Sequence, residues 1–159
     1  MEMFEEEFGS LQDSLRQLRL DSNARAVFLI DKNGQHIAAA GDVDEFDSTS
    51  LASLTAGNVA ATDGLAKLIG EREFSVLFHE GQRDHIHISI VARRAILLVI
   101  FDDRSSLGLV RLRVKRASAE MERVFDRMDE KAAQTMRDTG DPSPFLEITD
   151  EDIDALFSE

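Results

Sequence analysis

The chain has 159 residues, of which 43% are hydrophobic and 31% charged, and its formal net charge is −13. That length suits one hydrophobic core, and no apolar run approaches the roughly 20 residues that a membrane-spanning helix needs. The absence of cysteine excludes disulfides, thiol catalysis and Cys-based zinc sites, and the absence of Trp and Tyr together with the negative charge argues against binding to nucleic acid.

The first predicted elements are an amphipathic helix and a hairpin. The chain starts with MEMFEEEF, which is acidic where a signal peptide would be basic, so we expect a cytoplasmic protein without direct membrane insertion. Apolar residues from Phe4 to Leu18 share one stripe, which predicts a helix over about 3–20. Apolar runs then flank Lys32-Asn33-Gly34, and Asn-Gly between such runs is typical of an antiparallel hairpin.

A second helix is predicted over residues 48–70. Asp47, Ser48 and Thr49 are candidate caps, and Gly70 can end the helix in the left-handed conformation. Large apolar residues are expected to turn towards the core, namely Leu51, Leu54, Leu65, Leu68 and Ile69. The opposite flank carries small residues, namely Ser53, Ala56, Gly57, Ala60, Ala61 and Gly64. Each glycine costs about 1 kcal/mol relative to Ala in a helix interior, so either a partner protein or the chain's own sheet must approach this flank closely.

Three strands and a third helix complete the predicted domain. The strand-like runs are EFSVLFHE, HIHISIVA and AILLVIFD, and the last is apolar throughout, so it is expected to be central. Apolar residues from Leu107 to Met128 recur at steps of three and four, which predicts a helix with Ser105 or Ser106 as its cap. The order predicts an α/β (α+β) domain over 1–128, with a five-stranded antiparallel sheet and helices on both faces.

Residues 129–159 are predicted to form a flexible acidic tail with ten acidic and two basic residues. Within 148–157, the apolar residues Ile148, Ile153, Leu156 and Phe157 have a spacing close to a helical stripe, so this segment is expected to dock on a partner as a short helix. The alternative is a tail that only aids solubility.

The chain also carries a basic run, with five basic and no acidic residues from Arg104 to Arg116. This run is either a solvated helix face or a docking patch for an acidic surface, including the chain's own tail.

Several residues of catalytic type lack the partners that catalysis requires. His79, His85 and His87 lie on neighbouring predicted strands, but no carboxylate or cysteine stands at a metal-ligand spacing, so exposed strand histidines are the simpler interpretation. Asp102 and Asp103 end a strand as in nucleotide hydrolases, yet the chain has no phosphate-binding loop. No grouping of Ser, His and acid suggests a nucleophile. We therefore expect no catalytic residues, no cofactor and no metal.

Three segments carry a resemblance to a known family: the small-faced helix SLASLTAGNVAATDGLAKLIGE, the passage AILLVIFDDRSSLGLVRLRVKRA and the terminal SPFLEITDEDIDALFSE. Together they resemble the Roadblock family, and within it the bacterial MglB group. The resemblance covers nearly the whole chain. It implies a homodimer in which the third strands, here Glu73–Glu80, pair into one sheet. The second helices, here Ser50–Ile69, would lie together on one face.

The resemblance also implies a function. MglB proteins regulate MglA, a small Ras-like GTPase that sets the polarity of motile bacteria, with one GTPase bound per dimer. They stimulate GTP hydrolysis, and for some members nucleotide exchange, by repositioning the GTPase's own residues, and they can concentrate at a cell pole. The implied docking surface comprises Ala56 and Ala60 with Ser53, Gly57, Asp63, Gly64 and Lys67. If an inserted arginine were needed instead, the candidates would be Arg72, Arg93, Arg94 and Arg104. The alternative function is that of a scaffold or adaptor for another NTPase or polarity complex.

Overall fold

A computed structural model describes residues 4–139 of the chain. The helices and strands, in chain order, are α1 (Glu5–Ser22), β1 (Ala26–Asp31), β2 (His36–Gly41), α2 (Ser48–Leu68), β3 (Val76–Glu80), β4 (His85–Val91), β5 (Ala95–Phe101) and α3 (Leu107–Thr139). This order confirms the α-β-β-α-β-β-β-α prediction. None of the helices within residues 4–139 has both the length and the apolar character needed to cross a bilayer.

The first hairpin forms around an aspartate rather than around Asn33-Gly34 alone. The Asp31 carboxylate accepts hydrogen bonds from the backbone N–H groups of Asn33 at 2.9 Å and Gln35 at 3.0 Å. Gly34 has a φ of +89°, and a Cβ at this position would lie 3.3 Å from the Cα of Ser53 in α2. The turn therefore needs glycine both for its backbone conformation and for the close approach of the helix above it.

The five strands form one antiparallel sheet in the order β2-β1-β5-β4-β3. Every residue of β5 is buried, and this strand lies between β1 and β4, as its continuous apolar sequence predicted. In the described part of the chain, β2 and β3 are the two edges. Helix α2 lies close to the open edge at β3, so this edge borders the candidate docking site.

Helices cover both faces of the sheet. Helices α1 and α3 pack on one face against residues that include Val27, Leu29, Leu97 and Val99. Helix α2 packs on the other face, against the alternate residues of the same strands, which include Phe28, Ile30, Leu98 and Ile100. This alternation follows from the two-residue period of a strand, and it accounts for two apolar clusters separated by one sheet.

Helix α3 is longer than the sequence predicted. The expected flexible tail was to begin at residue 129, but the helix continues to Thr139, with Ala132 fully buried. Lys131 donates to the carboxylate of Glu7 at 2.8 Å, which ties this part of α3 to α1. The expected boundary at residue 128 is therefore wrong, since good helix-forming residues continue until Gly140. The predicted cap is confirmed at Ser106, whose hydroxyl accepts from the N–H of Leu109 at 3.2 Å.

Candidate docking site

The ends of α2 form as the sequence predicted. The Asp47 carboxylate accepts hydrogen bonds from the Ser50 hydroxyl at 2.8 Å and from the Ser50 N–H at 3.2 Å. These two bonds hold the pKa of Asp47 below its ordinary value. At the other end, Gly70 has a φ of +82°, the left-handed conformation that residues with a Cβ rarely adopt.

The faces of α2 are not arranged as expected. The buried residues of the helix are small or medium in size, namely Ala52, Thr55, Ala56, Val59 and Ala66. Four of the five large residues expected to face inward are exposed, namely Leu54 (73%), Leu65 (60%), Leu68 (83%) and Ile69 (68%), and only Leu51 packs against the core. The reason is steric. The sheet already presents large side chains such as Phe28 and Ile30, so the helix approaches it through alanines.

The predicted docking residues therefore fall into two groups. Ala56 is buried against the sheet, with its Cβ 3.5 Å from the Cβ position of Gly34, so the expectation that it faces away from the sheet is wrong. Asp63 is half-buried. The remaining five are exposed along one flank of α2, and we call them the small-residue stripe: Ser53, Gly57, Ala60, Gly64 and Lys67.

Within residues 4–139, no neighbouring group requires glycine at the two glycines of the small-residue stripe. A Cβ added at Gly57 or at Gly64 would meet nothing within 4 Å. Close packing on the chain's own sheet, the alternative explanation for small residues in α2, therefore applies to Ala52 and Ala56 but not to these glycines. Each glycine costs about 1 kcal/mol relative to Ala, and no contact within residues 4–139 explains this cost.

Beside the small-residue stripe runs a ridge of exposed apolar side chains, the leucine ridge, which consists of Leu54, Ala61, Leu65 and Leu68. With Asn58, these residues are spaced by four, three, four and three, the pattern of a helix-pairing seam. The Asn58 side chain lies 3.5 Å from Nε2 of His79, which connects α2 to the edge strand β3. On that strand Val76 is 44% exposed. The leucine ridge and an open sheet edge are thus neighbours.

Two of the four candidate arginine fingers are held in other interactions. Arg94 donates to both carboxylate oxygens of Asp129, at 2.7 and 2.8 Å, and lies over the ring of Phe125. Arg104 binds the Asp102 carboxylate, and this pairing raises the pKa of Arg104 and lowers that of Asp102. Asp102 therefore closes the turn after β5. The other two candidates, Arg72 and Arg93, are exposed.

The three strand histidines do not share one environment. His79 is exposed and His85 packs near the rings of Phe78 and Phe101, whereas His87 is buried, which contradicts the expectation that it would be exposed. Burial, and secondarily the charge of Arg111, lowers the pKa of His87. Within residues 4–139, no group of three or more His, Asp or Glu side chains could hold a metal ion.

The predicted tail contacts lie outside the described residues, namely Ile148, Ile153, Leu156 and Phe157.

Comparison with known proteins decides the family. The model of the Roadblock/LC7 domain matches residues 11–101, which is more than half of the chain. This chain belongs to the Roadblock/LC7 family. Myxococcus xanthus MglB is 57% identical, with a TM-score of 0.75, and the match covers 77% of this chain and 92% of that chain. The gliding protein MglB from Thermus thermophilus is 32% identical, with a TM-score of 0.72 and coverage of 76% and 92%.

A third solved structure, described as MglB with a tetrameric arrangement, is 31% identical, with a TM-score of 0.71 and coverage of 76% of this chain and 91% of that chain. No protein with a curated functional description matches this Roadblock chain. The resemblance to the MglB group is therefore confirmed at the level of sequence and fold.

The sequence analysis missed the leucine ridge, although the sequence contains a signal for it. Leu54, Ala61 and Leu68 follow one another at intervals of seven residues, the repeat of a helix-pairing seam.

Proposed function

We propose that this Roadblock chain is a homodimeric regulator of a small Ras-like GTPase of the MglA type. It would stimulate GTP hydrolysis by binding the switch regions of the GTPase through α2. The observation that carries this proposal is the small-residue stripe, whose two glycines have open space around them in a chain 57% identical to Myxococcus xanthus MglB. The proposed place of action is the cytoplasm, with concentration at a cell pole.

The leucine ridge and the β3 edge support the dimer. Leu54, Leu65 and Leu68 are each at least 60% exposed, and in a dimer the ridges of two copies would remove them from water. Pairing of the two β3 edges would satisfy the backbone groups that an edge strand leaves open. A symmetric interface of this kind buries about 1,600 Å² in total when it is of standard size. It would also bring the small-residue stripes of both subunits to one face.

The proposed mechanism needs no catalytic group from this chain. A GTPase switch has at least two conformations, and a partner shifts their balance only by its difference in affinity for them. A surface with few side chains lets a switch segment pack against the helix backbone over a broad area and so favours one conformation. An inserted arginine is worth 10³ to 10⁵ in rate, so without one the GTPase must supply its own stabilising residue. The paired helices form a single surface about the dimer axis, which supports one GTPase per dimer.

The tail is proposed to contribute a second contact to the GTPase. Its apolar residues Ile148, Ile153, Leu156 and Phe157 would bind as a short amphipathic helix and support nucleotide exchange. So short a helix is only marginally stable alone in water, so its order would come from the partner surface.

Binding of MglA loaded with a non-hydrolysable GTP analogue tests the docking surface. Ala60→Arg places a long charged side chain in the middle of the small-residue stripe, where close contact would require its desolvation. Ala60 is exposed, so the fold and the dimer should survive, while GTPase binding should be lost in calorimetric titration. Ala56→Arg is unsuitable because Ala56 is buried. The matched control is Gln17→Arg, on the exposed part of α1. A folded, dimeric Ala60→Arg variant with normal affinity would show that the GTPase binds elsewhere.

A further inference from the structure

A basic surface on the first half of α3 is outside the docking site proposed above. It consists of Arg111, Lys115 and Arg116 around Leu112, with Ala119 one turn further on, and we call it the basic patch. Leu112 is 61% exposed. No acidic residue occurs between Arg104 and Ala119. The patch therefore combines an apolar centre with positive charge on both sides.

Most of the charge on the basic patch is not neutralised within the described chain. Across residues 4–139, neither Arg111 nor Lys115 forms an ion pair. Arg116 reaches Glu120 only at 3.9 Å, with both side chains well exposed, so this pair contributes little. Two acidic residues, Asp21 and Glu120, line the groove between α1 and α3 together with Arg116. The side of the patch that carries Arg111 and Lys115 is left open to an acidic ligand.

The chain itself contains a segment with the complementary chemistry. Residues 140–159 include seven acidic residues and no basic residue. Four of those acids, at 150, 151, 152 and 154, surround Ile153, and Leu156 and Phe157 follow at the spacing of the same helical face. An apolar face bordered by acids matches an apolar centre bordered by bases.

The length of the connecting chain also fits. Helix α3 ends at Thr139, and eight residues, 140–147, lie between it and Ile148. Two prolines lie in this connection, and the nine residue steps from Thr139 to Ile148 span about 28 Å when the segment is extended. Folded back along α3 at about 1.5 Å per residue, Ile148 would reach the level of residue 120, and a ten-residue helix would continue for about 15 Å to the level of residue 110. This range coincides with the basic patch.

We propose that residues 148–157 dock on the basic patch of the same chain, antiparallel to α3. The acidic side chains would face Arg111, Lys115 and Arg116, while Ile153 and Phe157 cover Leu112. Docking would keep the apolar anchors of the tail out of water and away from other proteins until a competing partner is present. The proposal does not depend on what that partner is.

A distance between two spin labels tests the proposal. The chain has no cysteine, so Gly108→Cys and Ser158→Cys give two unique attachment points, and a side chain at Gly108 meets nothing within 4 Å. In the docked state the label distance should be below about 20 Å, whereas an undocked tail leaving the far end of α3 gives a distribution centred near 50 Å. Labelled protein is diluted with unlabelled chains so that only distances within one chain are measured. A distribution centred near 50 Å, or a short distance lost on dilution, would overturn the proposal.

Matched variants identify the surface. Arg111→Glu with Lys115→Glu should remove the short distance, and so should Ile153→Asp with Phe157→Asp. The control, Arg16→Glu with Lys32→Glu, makes the same charge change at exposed positions away from α3 and should leave the short distance in place. Raising the salt concentration should also lengthen the distance because the contact is charge-dependent. A short distance that survives the Arg111 and Lys115 reversal would show that the tail docks elsewhere.

Discussion

Replacing the two exposed glycines of α2 by alanine should change stability and function in opposite directions. A Cβ at Gly57 or Gly64 meets nothing within 4 Å, so each substitution adds helix propensity without a clash inside the chain. Each should raise the free energy of unfolding by about 1 kcal/mol, and the double variant by about 2 kcal/mol. For a chain of this length, the gain of about 2 kcal/mol in the double variant corresponds to an increase in Tm of about 4–8 °C.

The same two methyl groups should weaken GTPase binding, because they would stand where a partner is proposed to approach the helix backbone. Overpacking a close contact costs about 1–3 kcal/mol, which corresponds to a roughly 5- to 150-fold loss of affinity. Thermal unfolding and calorimetric titration with GTP-loaded MglA measure the two effects on the same samples. The matched control is Gly9→Ala in α1, where a Cβ also meets nothing within 4 Å and affinity should not change.

Two results would contradict a contact between these glycines and the GTPase. A stabilised double variant with unchanged affinity for the GTPase would show that no partner approaches these glycines closely. A double variant that loses dimerisation together with binding would assign Gly57 and Gly64 to the subunit interface. Sedimentation velocity at micromolar concentration separates this second outcome from a specific loss of GTPase binding.

Three further predictions concern the dimer, the tail and the buried histidine. Leu65→Asp should halve the mass measured by light scattering while the helix content persists, whereas the control Leu20→Asp, at a similarly exposed position on α1, should remain a dimer. A dimeric Leu65→Asp variant would exclude the leucine ridge from the interface. Deletion of residues 140–159, or Ile153→Asp with Phe157→Asp, should leave the dimer intact and weaken GTPase affinity and stimulation of nucleotide exchange. Unchanged affinity and exchange in both variants would show that the tail only aids solubility. Because burial lowers the pKa of His87, the unfolded state takes up its proton first, and the free energy of unfolding should fall by at most about 1.4 kcal/mol per pH unit below about pH 6.5. His87→Leu should reduce this loss in urea titrations between about pH 7.5 and 5.5, and an identical pH dependence in both proteins would contradict the assignment.

The element order could be predicted because the periodicity changes clearly between strands and helices. The central position of β5 followed from its unbroken apolar sequence. The orientation of α2 could not be predicted in the same way. Helical spacing shows which residues share a face, but α2 is apolar on more than one face, and only the size of the sheet side chains beneath it decides which face turns inward. That is why Ala56 is buried while Leu54 and Leu68 are exposed.

The end of α3 illustrates a second limit. The apolar seam used to define this helix ended at Met128, but a buried alanine at residue 132 and ion pairs at Asp129 and Lys131 continue the packing to α1 and to the turn before β5. These contacts are made between segments far apart in the sequence, so local spacing does not contain them. The small residues of α2 were visible in the sequence. Separating the exposed small-residue stripe from the buried Ala56 required the structure, which places Ala56 against Gly34.

The proposed function requires that this Roadblock chain accelerate GTP hydrolysis by a Ras-like GTPase. Single-turnover hydrolysis by GTP-loaded MglA, with and without the dimer, measures it directly. We expect a higher hydrolysis rate that saturates at one GTPase per dimer, with no hydrolysis by the dimer alone. An unchanged rate at saturating dimer would contradict the claim and leave an adaptor, and hydrolysis by the dimer alone would reveal an enzyme instead.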